Sequence, residues 1–81
     1  MKWRDHIEVN PAVLVGKPVV KGTRLAVDFL LGLFAAGWSE KDVLENYPAV
    51  TPEALRAAFA FAAETISDEA LHPRQPFVDI G

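Results

Sequence analysis

The stretch TPEALRAAFAFAAETI, residues 51–66, decides how this chain is read. It opens with a threonine whose hydroxyl can cap a helix. A proline follows where a helix needs no N–H, then an acid near the positive end of the dipole. From there the residues are helix formers, and a helix is predicted over 52–66. At roughly 100° per residue, Leu55, Phe59, Ala62 and Ile66 fall on one line, the expected core face. Ala54, Ala57, Ala58 and Phe61 form a second apolar strip away from it. A surface helix needs one buried stripe, so a second calls for a partner, and small residues let another backbone come close. The strip therefore predicts a homodimer interface through Ala54, Ala57, Ala58 and Phe61, with the aromatic ring as its anchor. The competing reading is that the alanines serve helix propensity alone.

Working outward, residues 27–36 are apolar almost all round, broken by Asp28 and Gly32, and predict a helix buried on most sides. Gly37 is its natural stop. Ser39, with Asp42 three residues on, makes an approximate capping box for a short helix over 40–46 that ends before Pro48. The fold class is mainly α: a tri-helical, helix-turn-helix-like core over 27–66. Residues 1–26 form a β-rich N-terminal arm or hairpin. Ile7-Glu8-Val9 alternates as a strand does, Asn10-Pro11 marks a turn, and Val13-Leu14-Val15 is an apolar run stopped by Gly16. Pro18-Val19-Val20 and Arg24-Leu25-Ala26 flank Lys21-Gly22-Thr23 and read as a hairpin or paired extended arms, with Gly22 at positive φ. Residues 67–81, with Pro73 and Pro76, read as an extended C-terminal tail. All of this is one domain.

Composition narrows the function classes. The 81 residues contain no cysteine, which rules out a disulfide staple or a thiolate metal site and fits a reducing cytoplasm. A core this small is marginal without help, which favours an oligomer. No run of about 18 apolar residues offers a membrane span, and the charged start is unlike a signal peptide. The net charge of −3 is unevenly spread. Residues 1–24 hold five cations against two carboxylates, and residues 25–81 hold three cations against nine. That pattern suggests a basic arm on an acidic body, against the alternative of chance scatter.

No catalytic constellation is legible, so the chain is read as a non-enzyme without metal or cofactor. His6 and His72 are far apart and lack the ligand spacing of a metal site. Gly16-Lys17 and Gly22-Thr23 lack the spacing of a phosphate loop. In helix-turn-helix folds the last helix enters the major groove by its N-terminal end. Here that end offers Thr51 and Arg56, a single cation, so Lys17, Lys21 and Arg24 of the basic arm would have to supply phosphate contacts. Arg24 has a competing structural reading: it can cap a carbonyl or pair with an acid such as Asp28. A tri-helical domain that binds no DNA is the standing alternative.

Gly16-Lys17-Pro18-Val19-Val20-Lys21-Gly22-Thr23-Arg24, then Ala36-Gly37-Trp38-Ser39-Glu40, then Glu45-Asn46-Tyr47-Pro48 and Thr51-Pro52-Glu53 resemble the small prokaryotic domain-of-unknown-function family 433. The resemblance runs over residues 7–63. It implies a bacterial antitoxin of a type II toxin–antitoxin system, with a helix-turn-helix-like core that binds operator DNA and holds a PIN-like ribonuclease toxin inactive. The alternative is a small homodimeric protein-interaction module without DNA binding. The near-absence of charge on the last helix departs from a strong DNA reader. In the tail, Leu71, Phe77, Val78 and Ile80 are apolar anchors that a solubilising tail would not need. With the toxin implied, they are assigned to it, and Arg74 is the cation offered to its acidic metal site. The tail packing back on its own domain is the other possibility.

Overall fold

The computed structural model describes residues 2–67; the tail anchors Leu71, Arg74, Phe77, Val78 and Ile80, and His72, lie outside the described residues. A turn of 3-10 helix at Trp3–Asp5 leads into strand β1 (Ile7–Val9). A second such turn at Leu14–Gly16 precedes strand β2 (Pro18–Val20). Three helices follow: α1 (Val27–Ala35), α2 (Glu40–Asn46) and α3 (Pro52–Thr65).

Local chemistry sets the helix ends where the sequence predicts them. Thr51 accepts a hydrogen bond from the Ala54 N–H at 3.1 Å and starts α3. Ser39 and Asp42 form a full capping box on α2: the Asp42 N–H donates to Ser39 Oγ (3.1 Å) and the Ser39 N–H to Asp42 Oδ2 (2.9 Å). At the end of α1, Gly37 has φ +102°. Its N–H donates to the Phe34 carbonyl and that of Trp38 to Leu33, the paired hydrogen bonds of a Schellman stop.

The capping box makes a pH prediction. The Ser39 N–H and hydroxyl hold the Asp42 carboxyl below its ordinary value. A depressed carboxylate stabilises the fold above its unfolded pKa, and that contribution is lost as pH falls through the folded value. Asp42→Asn should therefore lower the urea midpoint near neutral pH and leave a smaller difference from wild type at pH 2–3. An equal difference at both pH values would mean that the carboxylate charge is not what caps the helix.

The β pairing differs from the sequence reading. β1 and β2 are the antiparallel pair, with Ile7 opposite Val20, Glu8 opposite Val19 and Val9 opposite Pro18. Residues 24–26 contribute only a bridge, Val19 to Ala26, and a bond from the Val20 N–H to the Leu25 carbonyl. The Gly22 turn, at φ +82°, thus redirects the chain into α1 rather than closing a ladder. Val13–Val15 is not extended either. Leu14 and Val15 both have positive φ (48° and 55°), an unusual setting for a β-branched residue, and Val15 is 95% exposed.

The core is built from Ile7, Val20, Val27, Leu30, Val43 and Val50 against one face of α3. That face is the strip Ala54, Leu55, Ala57 and Ala58, all buried within the monomer. The assignment of Ala54, Ala57, Ala58 and Phe61 to a dimer interface is therefore corrected. Both Ala57 and Ala58 are at 0% exposure, and Phe61 packs edge-on against Trp3 with ring centroids 4.8 Å apart. The alanines do let a backbone come close, but it is this chain's own hairpin and α1 that approach. Of the predicted core line only Leu55 is buried; Phe59 and Ile66 are about half exposed. Helix α1 is likewise less wrapped than expected. Val27 and Leu30 are buried, while Phe29 is exposed, because so small a domain has too little remaining chain to enclose a helix.

Candidate functional site

The turn at Gly22 is fixed by Thr23. Its hydroxyl donates to the Val20 carbonyl (2.8 Å) and accepts from the Leu25 N–H (2.9 Å). At the base of the turn the Lys21 N–H donates to the His6 carbonyl (2.8 Å). Lys21 and Arg24 therefore project from a turn held on both sides, and both are exposed. Among the described residues neither has a carboxylate partner. Lys21 Nζ lies 3.4 Å from the Arg4 carbonyl, which brings the N-terminal cations to this end of the hairpin. Arg4 itself stacks over the Trp3 ring at 4.4 Å. Trp3 is anchored in turn: its indole N–H donates to Glu64 Oε1 at 3.0 Å, beside the Phe61 contact.

The other predicted DNA contacts lie elsewhere. Lys17 is at the opposite end of the short ladder and pairs with Asp28 at 2.9 Å. It thereby takes the partner that the sequence offered to Arg24. Both groups are well exposed, so the pair adds little stability, but it offsets the local positive charge. Thr51 spends its hydroxyl on the α3 cap. Arg56 is 3.8 Å from Glu53 one turn earlier, so the first turn of α3 is close to neutral. Trp3 docks on the C-terminal half of α3, so Arg4 and Lys21 sit roughly 15 Å along the helix axis from Thr51. The five candidates are thus spread over three places. Only Lys21 and Arg24 share one, and there Arg4 joins them, a residue that the sequence reading counted in the charge split without singling it out.

A second feature is apolar. A groove of about 230 Å³ runs between the start of β2, α1 and the last turns of α3. Elsewhere, rings pair across the helices: Phe34 on Phe59 at 5.2 Å and Phe29 on Tyr47 at 5.7 Å. Among the described residues no group of three or more His, Asp or Glu side chains is placed to hold a metal ion. No helix among them is long and apolar enough to cross a membrane.

The model of the family described as "Protein of unknown function (DUF433)" matches residues 7–62, from β1 through most of α3. The chain belongs to the DUF433 family. The match takes in the hairpin, the Gly22 turn and all three helices, and stops short of the last residues of α3. Among known proteins, the DUF433 domain here is 37% identical over 59 residues to the uncharacterized protein y4eO of Sinorhizobium fredii (strain NBRC 101917 / NGR234). That alignment covers 73% of this chain and 27% of y4eO. Among solved structures, the crystal structure of a DUF433 member protein from Anabaena variabilis ATCC 29413 superposes with a TM-score of 0.72 at 31% identity. It covers 75% of this chain and 60% of the Anabaena protein. The chain thus spans about a quarter of one relative and three-fifths of the other.

Proposed function

We propose that this DUF433 domain is an antitoxin of a type II toxin–antitoxin system, binding operator DNA and neutralising a PIN-like ribonuclease toxin. The observation that carries the DNA part is the Gly22 turn. It presents Lys21 and Arg24 on a rigid support, exposed and without a carboxylate partner among the described residues. Phosphate contacts supply most of the affinity of such proteins, and two copies would double the charge. The toxin contact is assigned to Leu71, Arg74, Phe77, Val78 and Ile80, and the domain works in the bacterial cytoplasm as a homodimer. The dimer surface is sought away from the buried alanine strip, at the exposed Phe59 rather than at Phe61.

A second reading, a homodimeric protein-interaction module without DNA binding, is favoured by one observation: the start of α3 is engaged in its own cap and in the Arg56–Glu53 pair. One experiment separates the two. Affinity for a duplex from the promoter of the chain's own gene is measured against salt, for wild type, for the Lys21→Gln, Arg24→Gln double variant and for Arg56→Gln. The double variant is expected to bind more weakly and to flatten the log–log salt slope by about 0.9 for each phosphate it no longer neutralises. Arg56→Gln should leave the slope near wild type. A double variant with an unchanged slope would remove the hairpin from the DNA reading, and no binding by wild type would leave the second reading standing.

A further inference from the structure

The apolar groove offers Pro18, Val27, Leu31, Phe61, Ala62 and Ile66 to solvent. At about 230 Å³ it is smaller than the roughly 300–1,000 Å³ of small-molecule pockets. It is sized for one or two apolar side chains arriving on an extended segment. Helix α3 ends at Thr65, and Thr65 and Ile66 themselves line the groove, so the chain leaves its last helix at the groove's own edge. The residues that follow are Ser67, Asp68 and Glu69. Acids just beyond a helix end oppose its dipole, and α3 has no basic residue in its last turn to offset them.

We infer that in the free protein this groove is covered by the chain's own segment of residues 71–77, with Leu71 seated against Leu31, Phe61 and Ile66. Leu71 lies five residues beyond Ile66, and an extended connection of that length reaches roughly 16 Å. The distance back along α3 from Ile66 to Phe61 is only roughly 7.5 Å. A tether this short gives Leu71 an effective concentration at the groove in the millimolar range, which favours the same chain over a separate copy. Phe77, past Pro73 and Pro76, is the second apolar group within reach. The inference concerns the free protein and does not rest on the antitoxin reading.

The test uses the full 81-residue chain with labelled methyl groups. In dilute wild-type protein, nuclear Overhauser contacts are expected from the Leu71 methyls to those of Leu31 and Ile66. Leu71→Ser should shift the Leu31 and Ile66 resonances and lower the Tm, while Val15→Ser, at an exposed site remote from the groove, should leave those resonances in place. Absence of the Leu71 contacts in wild type, with Leu31 and Ile66 unmoved by Leu71→Ser, would overturn the inference. So would contacts that arise only between differently labelled copies in a mixed sample, which would assign the groove to a second molecule.

Discussion

Ala57→Glu is expected to unfold the domain. Ala57 is at 0% exposure on the face of α3 against which the hairpin and α1 pack. A carboxylate there would need a counter-charge or hydrogen-bond donors. Among the described residues the core contains no buried polar or charged side chain to supply them. Burying an unpaired charge costs several kcal/mol even after relaxation. A chain of this length has a total stability of about 4–12 kcal/mol, so one such substitution removes most of it. The expected result is loss of helical circular dichroism and of cooperative unfolding at 25 °C. Phe59→Glu on the same helix should keep the fold, because Phe59 is 46% exposed and its new carboxylate stays in water. An Ala57→Glu protein that folds normally and merely turns from dimer to monomer in light scattering would return the alanine strip to a subunit interface.

That contrast shows what the sequence could and could not convey. The helix ends are legible because each depends on a few adjacent residues: Thr51-Pro52, the Ser39/Asp42 box, Gly37. The face of α3 is not. Both apolar strips have the right period, and the choice between them rests on Trp3, which docks on Phe61 and Glu64 from the other end of the chain. No local pattern announces that docking. The β pairing is hidden for a related reason. Pro18–Val20 has two candidate partners, and the structure pairs it with Ile7–Val9 across the residue 10–17 loop rather than with the nearer run beyond Gly22. The alternation of Ile7-Glu8-Val9 fits the role it takes, yet alternation alone assigns no partner.

For the candidate site, the charge split identifies the basic third of the chain, while its geometry stays hidden. Whether Lys17 or Arg24 takes Asp28 depends on how the turns fold. The answer leaves Arg24 available and Lys17 paired. Thr51 and Arg56 are grouped with the arm only by analogy to other helix-turn-helix folds. The structure puts them at the far end of α3 from Arg4 and Lys21, and Trp3, embedded in the charged start of the chain, is what fixes that separation.

Leu30→Ala is the second large effect, and it joins the fold to the site. Leu30 is the one leucine of α1 that is fully buried, at 0% exposure, in the same cluster as Val20, Val27 and Val43. Truncation of a buried leucine to alanine costs about 2–5 kcal/mol, from lost transfer energy plus the cavity left behind. For a domain of this size each kcal/mol moves Tm by about 4–8 °C, so a fall on the order of 10–30 °C is expected. The neighbouring Val27 opens α1 directly after Ala26, whose bridge to Val19 holds the segment carrying Arg24. Loosening α1 therefore also loosens the support of the Gly22 turn. If that turn contacts DNA, Leu30→Ala should lose affinity even below its own Tm, while Phe29→Ala, on the exposed side of α1, loses little of either. A Leu30→Ala protein whose Tm falls by less than about 4 °C would mean that the site collapses around the smaller side chain, and the packing of α1 on the hairpin would then not be what holds the turn in place.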